Sequence, residues 1–242
     1  MRIIYSLLLT VLLLSSCSIY EEVYFNEDMS VKYRMKYDAS EMMSMVSASS
    51  LSDYGKLFPS DSVFSFADII AEYRDSTKTL SAEDQQMMED LKSFTCQLSN
   101  DTVAKTFFVL VSGNFDDTAT LNRILKTISE QKSKTAEESG RSISDRFDNI
   151  SEYFWDGKNM KRIIQPKDHI EQQLEEGSID KNMMDLFSAG KMVVKYHFPR
   201  RVVNVSNPDA LFSQDGKTVV VEYPATDFID SADKINIEIT TE

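Results

Sequence analysis

The chain has 242 residues, of which 42% are apolar, with 7 Gly and 5 Pro, so it can bury one sizeable core or two small ones and is not a disordered polymer. Its formal net charge of -13 sets up a field that repels nucleic acid and anionic lipid headgroups. No nucleic-acid partner is expected, and a broad membrane-surface-binding role is disfavoured.

The first element is Arg2 followed by the apolar run from Ile3 to Leu13, which has the form of a signal peptide. It is too short to span a bilayer stably, since that takes roughly 20 apolar residues. Small residues then lead to a cysteine, and Leu14-Ser15-Ser16-Cys17 resembles the lipobox of bacterial lipoproteins. The resemblance implies removal of residues 1–16, acylation of Cys17 with palmitate-type chains and a protein anchored by lipid without spanning. Ser18 stands where an aspartate would retain such a protein on the inner membrane, so the same resemblance implies the outer membrane, on its periplasmic or surface face. Glu21 and Glu22 resemble an acidic export patch, and they also fit an ordinary solvated strand edge. Residues 17–22 are expected to be a short lipid tether, and residues 23–242 the folded domain.

Val23 and Phe25 alternate with polar neighbours, and Val31, Tyr33, Met35 and Tyr37 do the same more clearly, which predicts two strands joined through Asn26-Glu27-Asp28-Met29-Ser30. Asp61 or Ser62 is expected to cap a helix carrying Val63, Phe64, Phe66, Ile69, Ile70 and Tyr73. Ser81 opens another with Met87, Met88 and Leu91 on one face, and Met42, Met43 and Met45 read as core at helical spacing. A second hairpin is expected from Ser93 to Leu98 and Val103 to Val111 around Asn100-Asp101. Phe107 to Val111 is apolar on both faces and predicts a central strand covered on both sides.

Asp117 caps a helix with Leu121, Ile124, Leu125 and Ile128 inward. The polar stretch 129–142 marks either a division of the domain or an exposed helical extension. Asp156-Gly157 predicts a third hairpin, and two helices follow, from Pro166 to Gly177 and from Asp180 to Gly190. The remaining pattern is strands: Met192 to Phe198, Val202 to Val205, Lys217 to Tyr223 after the Asp215-Gly216 turn, and Ile235 to Ile239. Hairpins dominate, which predicts an α+β fold with mainly antiparallel sheet and helices packed against it.

Few residues suggest chemistry. His169 and His197 lie at no metal-ligand spacing from each other or from Cys96, and no Gly-x-Ser-x-Gly elbow presents a serine, so no metal, cofactor or catalytic set is assigned. Cys96 in Phe94-Thr95-Cys96-Gln97-Leu98 reads as a small core residue. Ser188-Ala189-Gly190-Lys191, Asp215-Gly216-Lys217-Thr218 and the Asp227, Asp230, Asp233 series each lack the companion residues of the motif they echo. Lys32, Arg34 and Lys36 form a basic stripe in an acidic chain, fitting either an anionic-ligand site or cross-sheet pairs with Glu222 and Glu238 worth less than about 1 kcal/mol each. Lys195, His197, Arg200 and Arg201 form a similar group.

The opening Val23-Tyr24-Phe25-Asn26-Glu27-Asp28-Met29-Ser30, its alternating strand and Asp38-Ala39-Ser40-Glu41-Met42-Met43 resemble uncharacterised envelope lipoproteins of gut-type Gram-negative bacteria. Those carry glycine where this chain has Met29, and the resemblance implies no activity. The expectation is a lipid-anchored, non-enzymatic accessory or binding protein of the envelope, held to the membrane by its N-terminal lipid and engaging an envelope partner. The alternatives are an envelope hydrolase with a carboxylate-based site and a carrier of a lipid or other apolar ligand.

Overall fold

In a strand, residues two apart share a face, and β1 (Ser18–Phe25) and β2 (Val31–Asp38) obey that parity. Val23, Phe25, Val31 and Tyr33 are buried on one side, while Tyr24, Lys32 and Arg34 lie on the other. The two strands pair antiparallel with Phe25 opposite Val31 and Ser18 opposite Asp38. The structure is a computed structural model that describes residues 18–40, 61–72, 81–101, 103–139, 150–165, 190–224, 227 and 232–242. Cys17, residues 1–16, Met42, Met43, Met45, His169 and the two helices expected between 166 and 189 lie outside the described residues.

The strand register corrects one boundary. Ser18 to Glu22, expected as a tether, are already part of β1. They are fixed there because β1 pairs along its length with β2 on one side and with β8 (Lys191–His197) on the other.

Further strands are β3 (Ser62–Ser65), β4 (Phe94–Asp101), β5 (Thr106–Phe115), β6 (Ile150–Trp155), β7 (Asn159–Gln165), β9 (Val202–Val205), β10 (Leu211–Phe212), β11 (Thr218–Pro224) and β12 (Ile237–Thr241). The large sheet runs β10-β11-β8-β1-β2-β5-β4-β3, and the smaller runs β6-β7-β12-β9. Among the described pairs only β1 with β8 is parallel. With helices α1 (Phe66–Glu72), α2 (Ala82–Leu91) and α3 (Thr118–Ser139), the class is α+β with mainly antiparallel sheet. Among the described residues no helix is long and apolar enough to cross a membrane.

The two sheets close on one apolar core to which Phe25, Tyr33, Trp155, Met160, Val194 and Ile237 all contribute. α3 starts where Asp117 accepts the Thr120 N–H at 2.7 Å, and it buries Leu121 and Ile124. It continues unbroken through the polar stretch to Ser139. Its Asn122 side chain donates to the Tyr153 carbonyl and accepts the Tyr153 N–H, both at 2.8 Å, which satisfies backbone groups on the edge strand β6.

Three local expectations differ from the structure. Val63 and Phe64 belong to β3, paired with Gln97 and Cys96, and the helix begins only after Ser65, whose hydroxyl accepts the Ala67 N–H. The β4–β5 turn lies beyond Asn100-Asp101, because Asp101 Oδ1 accepts the N–H groups of Val103 and Ala104 and the strands extend to Asp101 opposite Thr106. β5 is central in the strand order, yet Phe107 to Ser112 are only half-buried, and Leu110 faces an open cleft. Cys96 is buried as expected, and burial pushes its thiol up, away from nucleophilic character.

Candidate functional site

The side chains of β1 that do not face the core sit beside like partners on both neighbouring strands. Tyr20 lies between Lys36 and Val193, Glu22 between Arg34 and Lys195, and Tyr24 between Lys32 and His197. On the far side of β2, Leu110 adjoins Lys36 and Ser112 adjoins Arg34. A cleft of about 210 Å³, open to solvent, is lined by Tyr20, Glu22, Arg34, Lys36, Leu110 and Lys195. That is smaller than the ~300–1,000 Å³ of ordinary small-molecule pockets, so it suits a head group or a fragment of a ligand.

Glu22 sits at the centre. Its Oε2 accepts from Arg34 Nη1 at 3.0 Å and from the Tyr24 hydroxyl at 3.1 Å, and its Oε1 accepts from Lys195 Nζ at 3.3 Å. Burial pushes the Glu22 carboxyl up, but Lys195, Tyr24 and Arg34 together outweigh it and hold the group below the usual carboxylate range. Lys36 donates to Asp38 at 2.7 Å and lies over the rings of Phe108 at 4.5 Å and Tyr20 at 5.7 Å.

Of the basic stripe, Arg34 pairs with Glu22 and Lys36 with Asp38, both within the hairpin, while Lys32 lies outside the cleft over the Tyr24 ring at 5.7 Å; Glu222 and Glu238 are not their partners. Those two pair with Lys191 at 3.2 Å and Lys161 at 2.8 Å. The second basic group divides as well. Lys195 and His197 join the cleft face, while Arg200 reaches Glu27 and the Glu242 carbonyl, and Arg201 lies against the Gly216 turn.

His197 stacks on Tyr24 with ring centroids 4.0 Å apart, and its Nδ1 is 3.1 Å from the Thr218 hydroxyl. Its Nε2 is buried and has no hydrogen-bond partner among the described residues. Burial lowers the His197 pKa, and Lys195 and Arg34 reinforce this against the opposing pull of Glu22 and Asp215. The unfolded chain thus binds a proton near the ordinary value of 6.5 while the folded ring resists it. The stability from the neutral ring is present above that value and is lost as pH falls through the lower folded one. Urea unfolding at about pH 7.5 and about pH 5 is expected to show lower stability at the acidic value, and His197→Phe, which keeps a ring against Tyr24, should flatten that difference. An unchanged difference in the variant would assign the effect elsewhere.

A second polar cluster escaped the sequence reading. Glu21, expected on a solvated edge or export patch, is 0% exposed and points between the sheets. Its Oε2 accepts from Arg162 Nη2 of β7 at 2.7 Å, and its Oε1 accepts from the Tyr153 hydroxyl of β6. Arg162 also donates to the Ser151 hydroxyl at 3.0 Å and the Tyr196 hydroxyl at 3.3 Å. Burial raises the Tyr153 pKa well above the ordinary phenol value, with Arg162 opposing and Glu21 adding, so the hydroxyl stays a donor. Glu21, Arg162, Tyr153 and Tyr196 are all buried, and the cluster reads as an inter-sheet tie, not a ligand site.

The fold and cleft define an α+β protein with a small cation-rich hollow on the open face of its main sheet. No protein-family model and no curated protein matches the sequence. The NMR structure of the folded domain of LppM from Mycobacterium tuberculosis superposes with a TM-score of 0.42, covering 94% of this chain and 90% of that one at 7% identity. At that level of agreement it assigns neither a family nor a ligand. Among the described residues no group of His, Cys, Asp and Glu is arranged to hold a metal ion.

Proposed function

We propose that the chain is a lipid-anchored, non-catalytic binding protein of the cell envelope, with its signal peptide ending at Ser16 and its lipid on Cys17, and with the outer membrane as its site. The observation supporting this is continuity between anchor and binding face. β1 begins at Ser18 and itself carries Tyr20, Glu22 and Tyr24. Tyr20 is three residues from Cys17, at most about 10 Å of extended chain. A lipid on Cys17 holds the cleft close to the headgroup layer.

Binding is favoured over hydrolysis by the cleft's composition. Its central carboxylate, Glu22, is neutralised by two cations, whereas carboxylate-based glycoside hydrolysis uses a pair of carboxyl groups in distinct protonation states. The anchor is tested by growing cells with an alkynyl fatty acid. Wild-type chain is expected to be labelled and to sediment with membranes, and Cys17→Ser to be unlabelled and released, because stable attachment takes at least two acyl chains. Persistent labelling and sedimentation of the variant would refute the assignment.

A further inference from the structure

We infer that the cleft between Tyr20, Arg34, Lys36 and Lys195 binds a phosphate ester, its anionic oxygens on the cations and its carbon stem along Tyr20 and Leu110. The inference rests on reading this face as a binding surface, and it adds the chemical class of the ligand. Charge is the first argument. In a chain of net charge -13, this face gathers Lys32, Arg34, Lys36 and Lys195 against Glu22 and Asp38, an excess of two positive charges. The surrounding acidic surface repels extended polyanions, while a compact anion fits within the local positive potential.

Unused donor capacity is the second argument. Among the described residues Arg34 gives only Nη1, to Glu22, and Lys195 donates once, also to Glu22. An arginine carries five N–H donors and a lysine three, so most of both sets remains for a ligand. Arginine with two lysines suits a tetrahedral oxyanion with several acceptor oxygens. The cleft's wall is the third argument. Leu110 and the Tyr20 ring give it an apolar side next to the cations, which bare phosphate would leave unfilled. Membrane phospholipid and soluble phosphate ester share this chemistry.

The test uses full chain purified in detergent and calorimetric titration with inorganic phosphate, glycerol phosphate, dihexanoyl phosphatidylglycerol and dihexanoyl phosphatidylcholine. Both esters with net negative charge are expected to bind at least about tenfold more tightly than inorganic phosphate, which leaves the apolar wall unfilled, and than phosphatidylcholine, whose quaternary ammonium is repelled by the cations of the cleft. Phosphatidylglycerol binding ahead of glycerol phosphate assigns the lipid source, and the reverse order assigns the soluble one. Arg34→Gln with Lys195→Gln should weaken the preferred ester by about a hundredfold, about tenfold per charged contact. Lys161→Gln on the other sheet should leave it unchanged. Should the double variant fail to fold by circular dichroism, Leu110→Ser replaces it, with loss of the preference over inorganic phosphate expected.

Equal binding of all four probes, or of none, overturns the inference, as does an undiminished affinity in the folded variants. These outcomes are separable from the anchor. Fatty-acid labelling at Cys17 with no ester binding leaves the lipid-anchored reading standing and removes the ligand, whereas ester binding by an unlabelled chain does the opposite.

Discussion

Arg162→Met is expected to lower the free energy of unfolding by about 3–5 kcal/mol, the range for removing one partner of a buried ion pair. Arg162 and Glu21 are 1% and 0% exposed, and they join β7 of the small sheet to β1 of the large one. Methionine fills much of the same volume, so the loss would come from stranding the Glu21 carboxylate away from water and cation. Replacing Glu21 by Gln in the same chain keeps an oxygen for the Tyr153 hydroxyl and removes the stranded charge. The double variant should therefore recover most of the loss, returning to within about 1 kcal/mol of wild type. Urea unfolding followed by the emission of Trp155, the single tryptophan, and by circular dichroism measures both. A single variant as stable as wild type would mean that the carboxylate has reached water, and the two sheets would not be closed as described.

The position of Glu21 was legible in part. On β1 it shares parity with Val23 and Phe25, both buried, and a carboxylate at a core parity demands a buried partner. Arg162 shares parity with Met160 and Ile164 on β7, so each half of the tie was visible in its own strand. What joins them is the packing of one sheet on the other, which no local pattern encodes. The same limit applies to the parallel pairing of β1 with β8, a contact between strands some 170 residues apart in sequence that brings Lys195 to Glu22.

The basic stripe shows the opposite case. Once the loop from Asn26 to Ser30 is fixed, with Phe25 opposite Val31, the hairpin register alone places Glu22 opposite Arg34 and Tyr20 opposite Lys36. The nearest carboxylate was in the preceding strand, and distant partners were not needed. Met29 is informative in the same way. It holds φ at 71°, a conformation that favours glycine, and it is kept there by packing against the core and against Gly157 of the β6–β7 turn. A side chain packed on the core thus occupies a backbone position that glycine would adopt without strain.

Trp155→Ala is expected to lower stability by about 3–5 kcal/mol, as for other large aromatic deletions from a closed core. The indole is 6% exposed and packs on Phe25 at 5.4 Å and Phe198 at 5.6 Å between ring centroids. Its Nε1 donates to the Asn26 carbonyl at 3.1 Å, so one side chain fastens the β1–β2 loop to the β6–β7 hairpin. Trp155→Phe keeps part of the ring packing and loses the hydrogen bond and some volume, and a loss of about 1–2 kcal/mol is expected. Circular dichroism in urea measures both variants, since neither retains a tryptophan. The effect should reach the cleft, because Phe25 and Phe198 directly follow Tyr24 and His197, the stacked pair at one end of its face. Near-ultraviolet dichroism of the remaining aromatics at low urea is expected to weaken in Trp155→Ala while far-ultraviolet signal persists. A variant that lost stability with that aromatic signal intact would confine the role of Trp155 to the core and free the binding face from it.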